Sequence, residues 1–131
     1  MNSDRIILVA DDQEGIRSLL KEILEENYTV LVAKNGPEAV EIVKDQPVDL
    51  VLLDIKMTGM SGLEALSLMK KVKPKVLVLM ISGFDDPETL SQVMNRGAQG
   101  FLLKPFEIED MLNKIEDVLK KGETQGHVFQ D

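Results

Sequence analysis

Residues that could do chemistry recur in this chain directly after apolar segments. Asp11 and Asp12 follow "RIILVA", Asp54 follows "LVLL", Ser82 follows "VLVLMI" and Lys104 follows "GFLL". A charge beside an apolar core is costly unless another group pairs with it. We therefore expect these side chains to meet and to compensate one another at one place in the fold.

The types of these residues indicate phosphoryl chemistry. Three neighbouring carboxylates repel, which raises the pKa of one of them unless a cation is present. Mg²⁺ prefers oxygen ligands and commonly bridges carboxylates to phosphate. The Lys104 ammonium and the Ser82 hydroxyl can both contact phosphoryl oxygens. Because phosphoryl transfer depends on positioning and charge neutralisation, and a carboxylate can be its nucleophile, we predict that Asp54 is the attacking group.

Each of these residues also has an ordinary structural role open to it. Asp11 or Asp12 could cap a helix that begins near Gln13, and Asp54 or Ser82 could stabilise a turn. A lysine such as Lys104 is most often solvated. The combination of such residues after successive apolar segments favours a shared site.

The segments that must position these residues alternate between two patterns. Five short apolar runs are rich in Val, Ile and Leu: Arg5–Ala10, Tyr28–Ala33, Val48–Leu53, Lys75–Ile81 and Gln99–Leu103. Segments with helical periodicity lie between and after them: Gln13–Asn27, Pro37–Asp45, Gly62–Val72, Asp86–Arg96 and Ile108–Lys121. Nearly continuous apolar runs are typical of strands buried on both faces of a parallel sheet. We predict a single doubly wound α/β domain of five βα units, with right-handed crossovers.

All strands of a parallel sheet end at the same edge, and ligands bind in the crevice there. The predicted site residues therefore converge on this edge. The domain is predicted to cover residues 1–121, followed by a flexible C-terminal tail or linker, Gly122–Asp131. The single histidine, His127, lies in this tail and is not expected to bind metal or phosphate.

Composition narrows the class of function. The chain has 131 residues, 44% of them hydrophobic, which suits one domain with one core. The net charge is −8 and the basic residues are scattered, so direct nucleic-acid binding is not expected. The absence of cysteine excludes disulfides and thiolate metal sites. No apolar run approaches the length of a membrane span, and we expect a cytoplasmic protein without membrane partners.

Four motifs together resemble the receiver domains of two-component response regulators. They are the Asp11-Asp12 pair, "DIKMTGMSG" at 54–62, "ISG" at 81–83 and "FLLKPF" at 101–106. The resemblance spans about residues 5 to 121. It implies a flavodoxin-like fold with the strand order 2-1-3-4-5.

The resemblance also implies a phosphoacceptor and a metal site. Asp54 would accept phosphate from a sensor histidine kinase or a histidine phosphotransferase. Asp12, Asp54 and the backbone carbonyl of Lys56 would bind Mg²⁺, with Asp11 contributing directly or through water.

Further roles follow from the same resemblance. Lys104 would contact the phosphoryl group, and its peptide bond to Pro105 is expected to be cis. Ser82 would move towards the phosphate on activation, and Phe101 would turn inward with it as the aromatic switch. Gly83 would leave room beside the phosphoryl site.

The resemblance implies a signalling role with no activity on other substrates. The surface of the fourth helix, fifth strand and fifth helix, 86–121, would contact a downstream output protein or output domain. The only chemistry would be phosphorylation and dephosphorylation of Asp54 itself.

Within the family, several stretches look closer to the single-domain sporulation phosphorelay receiver than to the chemotaxis one. These are "DDQEGIRSLL", "LVLLDIK", "GMSG" and "KPFEI". This closeness implies that phosphate is passed on to a histidine phosphotransferase. The first helix would then carry the docking face, including Ile16 and Leu20 if they are exposed, although its periodicity favours a core position for both.

The chain departs from the family pattern at several positions. Thr58 stands where proline is usual, which predicts a looser loop without loss of chemistry. Ser82 replaces the commoner threonine, and Phe101 lacks the hydroxyl of the commoner tyrosine. Lys56 has a long side chain two residues after Asp54 that could hinder attacking water, which predicts a long-lived phosphorylated form.

Other functions compete with this interpretation. A haloacid-dehalogenase-type phosphatase would need a second aspartate where Lys56 stands, and a nucleotide or flavin site would need a glycine-rich motif that the chain lacks. A degenerate receiver could bind partners without phosphorylation, but the acidic pair, Asp54, Ser82 and Lys104 are all intact. The chain could also be the receiver part of a larger transcriptional regulator.

Overall fold

The computed structural model describes residues 5–83 and 87–128, with side chains described as far as 122. Five strands alternate with five helices, as the sequence predicts. The strands are β1 (Ile6–Ala10), β2 (Thr29–Ala33), β3 (Leu50–Asp54), β4 (Leu77–Ser82) and β5 (Gly100–Leu103). The helices are α1 (Glu14–Leu24), α2 (Gly36–Asp45), α3 (Gly62–Val72), α4 (Pro87–Asn95) and α5 (Ile108–Val128).

The strands form one parallel sheet in the order β2-β1-β3-β4-β5, which confirms the predicted topology. In the register of this sheet Asp54 lies beside Ile81, and Ser82 lies beside Leu103. The ends of β3, β4 and β5 are therefore level. This register is what brings residues that follow different strands to one edge of the sheet.

Both faces of the sheet are buried, which explains the continuous apolar runs. Alternate residues of β1 enter two separate core clusters, with Leu8 and Ala10 on one face and Ile7 and Val9 on the other. The same division applies along β3, where Val51 belongs to the first cluster and Leu52 to the second. Helices cover each face, so the sheet is packed on both sides beneath the edge that carries the predicted site.

The apolar face of α1 is narrower than its periodicity indicates. Leu20 is 3% exposed and belongs to the core, as the helical periodicity favours, so the condition for its role in a docking face is not met. Ile16 is partly buried and packs against the same core. Leu19 is 51% exposed, although the helical pattern predicts that it shares the apolar face with Ile16 and Leu20. It lies about 140° around the helix from the fully buried Leu24, at 3.6 residues per turn, and therefore faces away from the sheet.

The last helix is longer than predicted. It continues to Val128 and does not end at Lys121, so the residues assigned to a tail are helical as far as the structure describes them. A glycine at 122 is typical of a residue that follows the end of a helix. In the structure, however, Gly122 lies inside α5, where a Cβ atom would lie 3.1 Å from Leu77 Cδ1. This glycine is thus explained by close packing within the helix. Residues 129–131 and the predicted first residue of the fourth helix, Asp86, lie outside the described residues.

The start of α3 is fixed against the end of β3. The Ser61 side chain accepts a hydrogen bond from the Glu64 N–H at 3.2 Å and caps the helix. The Gly62 N–H donates to the Ile55 carbonyl at 2.7 Å. A Cβ atom at Gly62 would lie 2.2 Å from the Asp54 carbonyl oxygen, so only glycine allows this approach. The backbone that carries Asp54 is therefore held directly by the helix that follows it.

Among the described helices, none has an apolar stretch long enough to cross a lipid bilayer.

Substitution Gly62→Ala is expected to destabilise the domain by about 1–3 kcal/mol, the usual cost of forcing an extra group into a packed region. The added methyl group must displace the backbone of Asp54 or Ile55, since its nearest neighbours are main-chain atoms. Urea denaturation monitored by circular dichroism would measure the change.

Gly15→Ala is the matched control, because Gly15 lies in α1 and a Cβ atom there would meet nothing within 4 Å. We expect its stability to be equal to that of the wild type or slightly higher, since alanine favours a helix more than glycine does. Equal stability of the two variants would show that Gly62 is not a steric requirement.

Candidate functional site

Three carboxylates meet at the carboxyl edge of the sheet. Asp11 and Asp12 follow β1, and Asp54 ends the neighbouring strand β3. One oxygen from each of these side chains lies within 4.8 Å of the others. The sheet therefore brings together the acidic residues that the sequence predicts for the metal site.

Asp11 is the most deeply buried of the three, with 1% of its surface exposed. Its Oδ1 accepts a hydrogen bond from the Gln13 N–H at 2.9 Å, whereas its buried Oδ2 has no hydrogen-bond partner. Burial raises the pKa of the Asp11 carboxyl, the Gln13 N–H opposes this rise, and the neighbouring charge of Asp54 adds to it. An unpartnered buried carboxylate oxygen facing two other carboxylates fits a bound cation.

Asp12 is held by Thr58 of the loop between β3 and α3. Both the Thr58 N–H and the Thr58 Oγ1 donate to Asp12 Oδ2, at 3.0 and 2.9 Å. These hydrogen bonds lower the pKa of the Asp12 carboxyl, because they stabilise its charged form. The sequence patterns do not predict the contact between Thr58 and Asp12. The indication of it in the sequence is the hydroxyl residue at 58, where proline is usual in the family that the chain resembles.

Asp54 is 4% exposed, and a nitrogen donor contacts each of its carboxylate oxygens. The Lys56 N–H donates to Asp54 Oδ1 at 3.2 Å. The Lys104 ammonium lies 3.4 Å from Asp54 Oδ2 and forms an ion pair across strands β3 and β5. This pair supplies the compensating charge that a carboxylate at the end of a buried strand requires.

A cavity of about 220 Å³ opens beside this ion pair. It is lined by Asp54, Ile55, Lys56, Ser82, Gly83 and Lys104. Ser82 is 1% exposed, and a Cβ atom at Gly83 would meet nothing within 4 Å. The predicted hydroxyl and the predicted open space thus both border Asp54.

The peptide bond between Lys104 and Pro105 is cis, as the resemblance implies. Phe101 lies outside the carboxylate cluster. It is partly buried against the core on the face that carries Leu53 and Met80. Its strand neighbour across the sheet is Met80, two residues before Ser82. Phe101 also borders a larger cavity, of about 790 Å³, between β5 and α5.

The donor set fits a hard divalent cation. All ligand atoms that the cluster offers are carboxylate oxygens, and Asp11 Oδ2 is buried without a hydrogen-bond partner. Hard cations such as Mg²⁺ and Ca²⁺ take oxygen ligands of this kind. The arrangement can therefore combine a metal, a carboxylate nucleophile and a lysine within one small cavity.

Comparison with known proteins gives independent evidence on the family of this chain. The family model described as "Response regulator receiver domain" matches residues 7–116. Chemotaxis protein CheY of Halobacterium salinarum is 38% identical over 114 residues, which cover 86% of this chain and 95% of that protein. Sporulation initiation phosphotransferase F of Bacillus subtilis is 38% identical over 116 residues, which cover 88% of this chain and 90% of that protein.

A solved structure extends the likeness to the fold. The CheY-like response regulator receiver domain protein of Methanospirillum hungatei superposes with a TM-score of 0.90 at 32% identity. The match covers 94% of this chain and 99% of the other. Overall identity does not separate the chemotaxis and sporulation relatives, which are equally identical to this chain.

Substitution Asp11→Asn is expected to stabilise the metal-free protein at neutral pH by about 1–3 kcal/mol, the scale of the cost of an unsatisfied buried polar group. The gain should depend on pH. The folded-state pKa of Asp11 is raised above the ordinary value of 3.8. Protonated Asp11 therefore contributes fully to the stability of the wild type below pH 3.8, and this contribution is lost as the pH rises through the folded pKa. The advantage of Asp11→Asn over the wild type should accordingly appear over the same pH range. Urea unfolding at several pH values in the presence of a chelator would measure both effects.

Asp45→Asn provides the control, because Asp45 is exposed at the end of α2 and lies outside the cluster. The charge change is the same, but we expect little change in stability. If Asp11→Asn were no more stable than this control at neutral pH, the buried carboxylate would not be a source of instability.

Proposed function

The chain belongs to the family of response regulator receiver domains, and from this we propose that it accepts a phosphoryl group on Asp54 from a sensor histidine kinase or a histidine phosphotransferase. The observation that carries the proposal is the buried Asp54 carboxylate, 3.4 Å from the Lys104 ammonium and grouped with two further carboxylates. A purely structural aspartate would not need this surplus of like charge at the end of a buried strand.

Mg²⁺ is the cation proposed for the cluster. Asp11, Asp12, Asp54 and the backbone carbonyl of Lys56 would hold it. When bound, it neutralises the carboxylates and the oxygens of an incoming phosphoryl group. One oxygen of each of the three carboxylates lies within 4.8 Å of the others, so all three could contribute to one site.

The transfer itself is a displacement at phosphorus. One Asp54 carboxylate oxygen attacks the phosphoryl group of a phosphohistidine, so an O–P bond forms while the N–P bond breaks. The leaving imidazole nitrogen keeps the electron pair and takes up a proton. Lys104 lies beside Asp54 and can stabilise the charge on the phosphoryl oxygens. Ser82 borders the same cavity and can donate a hydrogen bond to them.

We propose no activity on other substrates. Hydrolysis of the acyl phosphate on Asp54 returns the domain to its starting state, when water attacks phosphorus and the carboxylate leaves. Lys56 lines the cavity through which water must approach and is exposed at its rim. Its long side chain is proposed to slow this step.

Phosphorylation is proposed to act on partners through the surface of α4, β5 and α5. Ser82 ends β4 beside Leu103 of β5, and Phe101 lies two residues earlier in β5. Movement of Ser82 towards a phosphoryl group would therefore act on the strand that carries Phe101. The proposed receiving partner is a downstream output protein or domain, or a histidine phosphotransferase. The sporulation relative is itself named a phosphotransferase, which favours a role in passing phosphate on. We place this signalling in the cytoplasm.

Incubation with acetyl phosphate and Mg²⁺ is expected to add one phosphoryl group to the wild-type protein and none to Asp54→Ala. The reason is that Asp54 alone combines the nucleophilic oxygen, the Lys104 pair and the open cavity. Intact-mass spectrometry with and without a chelator would measure the adduct and its dependence on metal.

Asp45→Ala is the matched control, since it removes an exposed aspartate of α2 and should leave the adduct unchanged. An adduct of equal amount on Asp54→Ala would refute the assignment. No adduct on a folded wild-type protein, together with a melting temperature unchanged by Mg²⁺ and beryllofluoride, would favour a degenerate receiver instead.

Substitution Lys56→Asn is expected to accelerate loss of the phosphoryl group, because the shorter side chain opens the approach of water to Asp54. The decay of the mass adduct after removal of acetyl phosphate would give the rate. Lys71→Asn, on the exposed surface of α3, makes the same change of charge away from the cavity and should decay like the wild type. Equal rates for both variants would exclude a shielding role for Lys56.

A further inference from the structure

We propose that Thr58 is a positioning residue for the metal site, which holds the Asp12 carboxylate ready to bind Mg²⁺. The inference rests on the proposed function, because it concerns the same cluster of carboxylates. It assigns to Thr58 a role that the residue usual at this position in the family, proline, cannot perform.

The contact is a double hydrogen bond to one oxygen. The Thr58 N–H lies 3.0 Å and the Thr58 Oγ1 lies 2.9 Å from Asp12 Oδ2. Hydrogen bonds to a charged acceptor are among the stronger ones in proteins. The two hydrogen bonds to Oδ2 restrain the side chain of Asp12, and an ionised carboxylate can accept further ligands beyond these two donors.

The contact joins two loops that must cooperate. Asp12 follows β1, whereas Thr58 lies in the loop between β3 and α3, 46 residues further along the chain. That loop also contains Lys56, whose backbone carbonyl is the fourth proposed metal ligand. Thr58 thus connects Asp12 directly to the loop that carries the Lys56 carbonyl.

The loop geometry suits this role. Gly59, directly after Thr58, has a φ of 81°, a left-handed conformation that other residues adopt with strain. The loop then closes at Ser61 and Gly62, which fix the start of α3 against the backbone of Asp54. The loop that carries Thr58 is therefore held at its C-terminal end, where α3 begins. Thr58 donates both hydrogen bonds to Asp12 from this restrained loop.

Proline at this position would remove both donors, since it has no N–H and no hydroxyl. The sequence suggested that loss of the proline loosens the loop. The structure adds a second consequence that proline could not provide, because Thr58 contacts a proposed metal ligand directly. Partners that orient the ligands of a metal site typically change its affinity by about 10-fold or more when they are removed.

Isothermal titration calorimetry with MgCl₂ on the full chain tests the inference. Thr58→Val keeps the shape and the N–H but removes the hydroxyl, and Thr58→Ser restores the hydroxyl. Thr29→Val is the matched control, because Thr29 is exposed at the start of β2, on the edge of the sheet opposite the site. Thr58 is exposed as well, so none of these variants is expected to unfold the domain.

We expect Thr58→Val to bind Mg²⁺ about 10-fold more weakly than the wild type, in line with the loss of other ligand-orienting partners. Thr58→Ser and Thr29→Val should bind like the wild type. A second readout needs no metal. Thr58→Val should lower the stability of the wild-type protein but not that of an Asp12→Ala variant, in which the acceptor is already absent.

Unchanged Mg²⁺ affinity in Thr58→Val would overturn the inference. Tighter binding would also overturn it, since Thr58 would then compete with the metal for Asp12. If Mg²⁺-dependent phosphorylation of Asp54 persisted in either case, the proposed function would stand and only the role of Thr58 would fall. If the wild type itself bound no Mg²⁺, the metal part of the proposed function would fail together with the inference.

Discussion

The concentration of negative charge at the carboxyl edge of the sheet is the constraint on which the rest of the structure depends. Three carboxylates converge there, two of them almost completely buried. Like charges at this separation repel strongly where water is excluded. The protein offsets part of this repulsion with Lys104, with the backbone N–H groups of Gln13 and Lys56, and with the two donors of Thr58. Asp11 Oδ2 is left without a hydrogen-bond partner, and a bound metal ion would offset the remaining negative charge.

Holding such a cluster requires a rigid frame. The frame is the parallel sheet, whose central strands are buried on both faces and end at the same level. Gly62 adds a second restraint, because the start of α3 lies in direct contact with the backbone of Asp54. Stability and the proposed function oppose each other here, since the carboxylates proposed for metal binding and phosphorylation are also those that repel one another in the metal-free fold. A large apolar core beneath the edge offsets that cost.

The same frame offers a route by which the proposed phosphorylation of Asp54 would act on a distant surface. Ser82 borders the cavity and ends β4, and its neighbour β5 carries Phe101 and is followed directly by Lys104. The lysine that contacts Asp54 and the aromatic residue proposed as a switch therefore lie three residues apart. We propose that a movement at the cavity would shift this strand and thereby change the surface of α4, β5 and α5. The loop that carries Lys56 and Thr58 follows β3, and its proposed roles concern the metal and the lifetime of the phosphoryl group.

The sequence by itself determined the alternation of strands and helices and pointed to Asp54 as the candidate acceptor, because both depend on local patterns. An apolar run followed by Asp54, Ser82 or Lys104 marks a strand end whatever the rest of the chain does. The strand order came from family resemblance, and the structure confirms it. The sequence also indicated that Lys104 balances the charge of Asp54, and the structure confirms this pair. Only the tertiary structure decided that Thr58 contacts Asp12, that Leu19 faces outward and that α5 continues past Gly122. These features depend on contacts between residues far apart in sequence, such as Gly122 against Leu77, and no local periodicity records which distant side chain will lie opposite.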